Sequence, residues 1–180
     1  KALKDSLFDS PLGESTGAGI IFGSTGGVLE AALRTAADWL SGEDLQEIDF
    51  KCVRGMDGIK EASVNIAGME LKVAVTSGLG NAREILEKIK KGDAFYHAIE
   101  IMACPGGCIN GGGQPYIHGD TSILEKRMKA IYEEDGMKTI RKSHENPDII
   151  KLYDEFLGKP GSKKAHELLH TKYYPKSTFE

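Results

Sequence analysis

Apolar side chains recur along this chain with two different periods, and these periods predict alternating helices and strands. Between residues 28 and 40 they return every three or four positions, which is typical of an amphipathic helix that stops before Gly42. Residues 60–67 and 69–77 read instead as two strands joined by a hairpin. Residues 48–54 alternate between apolar and polar side chains, and this run predicts a further strand.

The second half of the pattern predicts one more strand and then only helices. Residues 81–91 indicate a charged helix with one apolar face, and residues 95–103 indicate a mostly apolar strand that is buried on both faces. A glycine-rich loop follows directly, and then a helix from residue 121 to about residue 134. After His144 no strand pattern is left, and Pro147 opens the first of two short helices.

This order of elements predicts an α/β fold with a mixed, mainly parallel sheet flanked by helices. The loss of strand pattern near residue 144 divides the chain into residues 1–143 and a short all-helical tail, residues 144–180. The chain begins with Lys1 rather than Met, which favours a cleavage product or an expressed piece of a longer polypeptide.

Composition narrows the class of protein. Charged residues make up 28% and hydrophobic residues 40%, which is normal for a globular domain with a core. No long basic run suggests contact with nucleic acid, and no apolar stretch approaches the roughly 20 residues of a membrane helix. The first residues also lack the apolar centre of a signal peptide. We therefore expect a cytoplasmic protein with no nucleic-acid partner and no membrane partner.

Two of the three cysteines stand in the glycine-rich run after the last predicted strand. Cys104 and Cys108 flank Pro-Gly-Gly at the carboxyl end of that strand, where open α/β sheets usually bind ligands. Thiolates suit iron–sulfur clusters, zinc or copper(I), and this spacing is wider than the knuckle of many zinc sites. Five glycines between residues 106 and 113 would let the backbone approach a bulky ligand. A metal or cluster site is one reading, and two buried cysteines beside a loop is the other.

A site with four thiolates needs two more donors than this pair supplies. Cys52 stands between Phe50 and Val53 in a predicted strand, so we expect it to be a core residue. His166 and His170 are four positions apart but lack a surrounding metal signature, so we expect them to be structural residues of the tail. The other ligands then lie on a segment outside this chain or are histidines, or the site is of another kind.

Three stretches of the chain resemble the iron-only hydrogenases. IEIMACPGGCINGGGQP at residues 99–115 is similar to the last of that family's three signature motifs. GESTGAGIIFGSTGGVLEAALR at residues 13–34 resembles the segment between the second and third motifs. Residues 146–175 resemble the small-subunit region, which is a separate chain in some members. The resemblance covers nearly all 180 residues, in order.

The resemblance implies reversible hydrogen oxidation and proton reduction. The implied cofactor is a 4Fe-4S cluster joined through one cysteine to a two-iron centre with CO, CN and dithiolate ligands. By motif position, Cys104 resembles a terminal ligand of the four-iron cluster, and Cys108 resembles the cysteine that bridges the two units. Met102, Phe22 and Gly23 match residues that wall the pocket of the two-iron centre.

The same resemblance implies that this chain works with other parts of a larger enzyme. The two motifs that carry the remaining cluster cysteines are not in the sequence, so we expect one lobe of a two-lobed catalytic domain, inactive by itself. Its partners would be the N-terminal lobe, ferredoxin or another electron carrier such as NAD(P), and H2 and protons. Two alternatives stay open. One is a non-catalytic iron–sulfur relative of the cluster-assembly or lamin-binding type, and the other is a metal-free structural fragment.

Overall fold

The computed structural model describes residues 3–6, 9 and 13–175, which form two compact units. The larger unit is residues 15–143, and the smaller one combines residues 144 onward with the residues up to 14. The larger unit contains, in chain order, α1 (Gly17–Ile21), α2 (Gly27–Ser41), a 3-10 turn (Lys51–Val53), β1 (Ile59–Ile66), β2 (Met69–Ser77), α3 (Leu79–Lys91), β3 (Ala98–Met102), a second 3-10 turn (Cys108–Asn110) and α4 (Ser122–Met137).

The three strands form one mixed sheet in the order β1-β2-β3. β1 and β2 pair antiparallel through a tight hairpin, with Ile66 opposite Met69. β2 and β3 pair parallel, with Ser77 opposite Met102, and α3 makes the crossover between them. The predicted α/β fold with a mixed sheet and flanking helices is confirmed, and one of the two strand pairings is parallel.

The main core lies where α2 packs on the sheet. The apolar face of α2 contributes Leu29, Leu33 and Ala37, and the hairpin contributes Val64, Ile66, Val73 and Val75. A second cluster joins α1 to α2 and α4 through Ala18, Ile21 and Ala31, with Ile131 and Tyr132 packed against them. In the main core, α2 buries one stripe of side chains at the helical period, and each strand of the hairpin contributes alternate residues.

Two predictions about strands are wrong. Within the described residues, 48–54 form no strand, and Lys51–Val53 is a 3-10 turn. Successive side chains of such a turn point in different directions, so Val53 is buried while Cys52 is exposed and is not a core residue. β3 is also not buried on both faces, because it is an edge strand of the described sheet and Ile101 is 46% exposed.

The smaller unit carries the helices that were predicted after residue 144. These are α5 (Pro147–Leu152), a π-helical turn (Tyr153–Leu157) and α6 (Lys163–Leu169). Asn146 caps α5 by accepting a hydrogen bond from Asp148 N at 2.9 Å, and its side-chain amide donates to the Glu14 carbonyl at 2.8 Å. No helix in residues 3–6, 9 and 13–175 is long and apolar enough to cross a bilayer.

Candidate functional site

Two loops meet beside the carboxyl end of β3. One is the cysteine loop, residues 104–115, and the other is the α1–α2 loop, residues 22–26. Thr25 N donates to the Gly106 carbonyl at 3.0 Å, and Ile109 N donates to the Gly23 carbonyl at 3.0 Å. These two backbone hydrogen bonds bring the Phe22-Gly23 segment and the Cys104–Cys108 segment together, although the two segments are far apart in sequence.

Gly107 makes this close approach possible. Its φ of 89° and ψ of −157° lie in a region that only glycine adopts readily. A Cβ on Gly107 would also come within 2.8 Å of Thr25 N and 2.9 Å of the Gly23 carbonyl oxygen. The contact between the loops therefore requires glycine at this position.

The backbone of the cysteine loop forms a tight turn at each of its two cysteines. Gly107 N donates to the Cys104 carbonyl at 3.0 Å, and Cys108 begins the second 3-10 turn, in which Gly111 N donates to the Cys108 carbonyl at 3.0 Å. Both cysteines carry free thiols, with Cys104 half-buried and Cys108 exposed. The loop thus carries two free cysteines, neither of them fully buried, on one short stretch of backbone.

The other predicted site residues lie on the elements that border this loop. Met102 is the last residue of β3 and is half-buried, and its carbonyl accepts a hydrogen bond from Gly78 N at 2.8 Å. Phe22 is the C-cap of α1, and 44% of it is exposed. Gly23 follows Phe22 and is in backbone contact with the cysteine loop. The α1–α2 loop also holds Thr25, whose buried hydroxyl has no hydrogen-bond partner among the described residues.

A buried carboxylate fastens β3 to the α1–α2 loop. Glu100 is only 8% exposed, and its two oxygens accept from Gly26 N at 2.6 Å and from Leu29 N at 2.8 Å. These amides belong to the N-terminal end of α2, where a negative charge is favoured. The sequence prediction missed this role. Its signal was a single acidic residue within an otherwise apolar strand.

An ion-pair network with equal numbers of arginines and carboxylates links α2 to α4. Arg34 is fully buried and donates to Asp135 through both terminal nitrogens, at 2.7 and 2.8 Å, and to Glu30 at 3.0 Å. Burial by itself would raise the pKa of Asp135, but the hydrogen bonds and charges of Arg34 and Arg141 outweigh burial and lower it. The remaining members are Arg54, which pairs with Glu30 and Asp49, and Arg141, which pairs with Asp135 and Asp49.

Tyr132 connects the network to the α1–α2 loop. Ser24 donates to the Tyr132 hydroxyl at 3.5 Å, and the Arg54 guanidinium lies 4.0 Å from the centre of the tyrosine ring. Burial, followed by the negative charge of Glu30, raises the pKa of Tyr132 well above its usual value. The sequence showed only an i,i+4 pair of Glu30 and Arg34 on α2. It held no sign of partners from α4.

Comparison with protein families identifies both parts of the chain. Residues 1–112 match the family model "Iron only hydrogenase large subunit, C-terminal domain", and residues 121–176 match "Iron hydrogenase small subunit". An NADP-reducing hydrogenase subunit of Solidesulfovibrio fructosivorans is 60% identical over 96% of this chain. Iron hydrogenase 1 of Clostridium pasteurianum is 46% identical over 95% of it.

The chain is also similar to a more distant relative and to a solved structure. A cytosolic Fe-S cluster assembly factor of Danio rerio is 32% identical over 94% of the chain. The solved structure of an FeFe-hydrogenase from Chlamydomonas reinhardtii is 43% identical and covers 95% of the chain with a TM-score of 0.69. The chain spans only 29% and 30% of the two bacterial relatives and 50% of the algal chain. Because the large-subunit model matches more than half of the sequence, this chain belongs to the iron-only hydrogenases, as the C-terminal part of a large subunit followed by a small-subunit region.

Proposed function

We propose that this chain is part of a hydrogenase that catalyses reversible hydrogen oxidation and proton reduction. In this proposal Cys104 and Cys108 are two of the four cysteine ligands of a 4Fe-4S cluster joined to a two-iron centre with CO, CN and dithiolate ligands. The observation that carries the proposal is the meeting of the two loops. The backbone hydrogen bonds of Gly23 with Ile109 and of Thr25 with Gly106 support the proposal, because they join the α1–α2 loop to the loop that carries the cysteine pair.

The residues of this site suit such a cofactor. Both cysteines are free and neither is fully buried, and thiolates are the usual ligands of iron–sulfur clusters. The backbone of Gly106 and Gly107 has positive φ, which permits loop shapes whose N–H groups donate to anionic sulfur. When bound, the cofactor would supply electron transfer and hydrogen activation.

This chain's own residues would hold, tune and shield the cofactor. Cys104 and Cys108 would anchor it, and the thioether of Met102 and the ring of Phe22 would add polarizable, apolar wall. Hydrogen bonds from the glycine backbone would contribute to the reduction potential of the cluster. The Thr25 hydroxyl, which is buried without a partner among the described residues, is a further group that ligand binding could satisfy.

In this proposal the rest of the large subunit supplies the other two cysteine ligands of the cluster. Two more cluster cysteines would come from its N-terminal lobe, so we propose that the 180-residue chain by itself is inactive. An electron carrier would be ferredoxin or an NAD(P)-linked partner, and one relative is described as NADP-reducing. The cytoplasmic location stays a prediction.

A second candidate is a non-catalytic iron–sulfur protein, because a cluster assembly factor matches almost the whole chain. The identity to that factor is 32%, against 60% to the NADP-reducing hydrogenase subunit, so the hydrogenase is favoured. Both candidates would bind iron through Cys104 and Cys108. Only the hydrogenase would turn over hydrogen.

Serine variants of the complete enzyme test the proposal. We expect Cys104→Ser and Cys108→Ser to lower bound iron and sulfide and to abolish hydrogen uptake after cofactor insertion. Cys52→Ser is the matched control, because Cys52 lies exposed in the 3-10 turn. Unchanged iron in both site variants would refute the ligand assignment. Full iron in the wild-type enzyme with no hydrogen turnover would favour the assembly-type candidate. Stoichiometric iron in the isolated 180-residue chain would contradict the proposal that two of the cluster ligands come from the N-terminal lobe.

A further inference from the structure

The cysteine loop contains a run of glycines shortly after Cys108. Residues 111–113 are three consecutive glycines, and Gly112 and Gly113 have open space where a Cβ would stand. Asn110 N donates to the Gly107 carbonyl and Gln114 N donates to the Gly111 carbonyl, so both of these hydrogen bonds close turns within the loop. Because glycine loses the most conformational freedom on folding, such a loop needs anchors on other elements to keep one shape.

One of these anchors is an arginine from α4. Arg127 Nη1 donates to the Ile109 carbonyl at 2.7 Å, and Nη2 donates to the Pro115 carbonyl at 2.7 Å. The two carbonyls lie before and after the glycine run, so a single planar guanidinium bridges its two ends. A lysine ammonium is a compact point charge without this fork and cannot reproduce the bridge.

The position of Arg127 on α4 is set by packing on both sides of the site. One turn further along, Ile131 lies against the α1–α2 loop, and its Cδ1 atom is 2.9 Å from the place of a Cβ on Gly23. Asp135, another turn along, holds the buried Arg34. Positions 127, 131 and 135 form one helical face. This face therefore contacts the cysteine loop, the α1–α2 loop and α2.

We propose that Arg127 is a positioning residue for Cys108, through which the small-subunit region controls the shape of a loop in the large-subunit domain. Arg127 lies within the small-subunit match, residues 121–176, whereas Cys108 lies within the large-subunit match, residues 1–112. The guanidinium bridge fixes the backbone that follows the thiol. The N–H groups of this backbone would be available to donate to the sulfur atoms of a cluster held by Cys108. This inference rests on the proposed role of Cys108 as a cluster ligand.

Amide hydrogen exchange of the complete enzyme without metal tests the bridge by itself. We expect Arg127→Ala to speed exchange at the amides of residues 109–114 by about tenfold or more, because two charge-assisted hydrogen bonds are lost. Arg127→Lys should recover only part of the protection. Lys129→Ala on the same helix is the matched control, because Lys129 is exposed and pairs with Glu133 at 3.6 Å. Equal exchange in the wild type and Arg127→Ala would overturn the inference.

The effect on the cluster is read from the same variants after reconstitution with iron and sulfide. We expect Arg127→Ala to shift the midpoint potential and broaden the electron paramagnetic resonance signal of the four-iron cluster, since hydrogen bonds and solvent exposure tune it. An unchanged signal and potential with faster loop exchange would also overturn the inference. Arg127→Gln provides a second variant if the alanine variant does not fold. A wild-type enzyme that gives no cluster signal would instead count against the proposed function.

Discussion

Removal of the Asp135 carboxylate would leave the fully buried guanidinium of Arg34 poorly compensated. Asp135 and Arg34 both have fully buried side chains, and Asp135 accepts three hydrogen bonds, two from Arg34 at 2.7 and 2.8 Å and one from Arg141 at 2.6 Å. In Asp135→Ala, Arg34 keeps Glu30 at 3.0 Å and the carbonyls of Ile48 and Arg141. Arg34 would still lose its bidentate interaction with the Asp135 carboxylate.

The expected cost is large compared with the stability of a domain. Removing one partner of a buried ion pair typically costs about 3–5 kcal/mol, whereas whole domains are stable by roughly 5–15 kcal/mol. Because Glu30 still faces Arg34, we expect a value near the lower end, about 3 kcal/mol. The double variant Arg34→Met, Asp135→Ala should cost less than the two single variants together, since it leaves no unpaired buried arginine.

Urea unfolding followed by circular dichroism and by the fluorescence of Trp39 measures these free energies. Trp39 is the only tryptophan of the chain and lies on α2, the helix that carries Arg34. Lys129→Ala is the control, because Lys129 and Glu133 form an exposed ion pair on α4 at 3.6 Å and such pairs contribute only about 0–1 kcal/mol. A cost below about 1 kcal/mol for Asp135→Ala, or strict additivity in the double variant, would refute the buried-charge reasoning.

Three further predictions concern the loops, the strand end and pH. Gly107→Ala should cost at least about 1–3 kcal/mol in urea unfolding, because its backbone region excludes a side chain, whereas Gly112→Ala, with open space around it, should cost far less. Glu100→Ala should cost roughly 1–3 kcal/mol by leaving two amides unpaired, and Glu100→Gln, which keeps one acceptor, should cost less. The pKa of Asp135 is lowered in the folded state. The Asp135 carboxylate therefore stabilises the folded state above the unfolded pKa of about 3.9, and this stabilisation is lost as the pH falls below that value toward the folded pKa. Wild-type stability should therefore decrease below about pH 4, and a decrease of the same size in Asp135→Asn would contradict this origin.

Local sequence pattern was sufficient for most of the elements. Helix α2 and the β1–β2 hairpin follow from side-chain periods that report which face of a single element is buried. The pattern failed at residues 48–54 because a 3-10 turn and a short strand can show the same alternation of apolar and polar side chains. It also failed at β3, since an apolar run does not tell whether a strand is central or at an edge.

The candidate site divides in the same way. The Cys104–Cys108 pair and its glycines were visible as a motif, and Phe22, Gly23 and Met102 came only from resemblance to a family. The local pattern marked Glu100 only as an acidic residue in an apolar strand, and it gave no sign of Arg127 or Asp135. Each of the three acts on backbone or charge from a different part of the chain.

By itself, the sequence determined most of the element types, the thiol pair at the end of a strand and the family. Each of these depends on residues that are neighbours along the chain or on a motif that can be read in order. Only the tertiary structure decided that the α1–α2 loop closes on the cysteine loop and that α4 fastens both. These contacts join positions separated by tens of residues, and hydrogen-bond geometry and burial select such partners in three dimensions without leaving a period in the sequence.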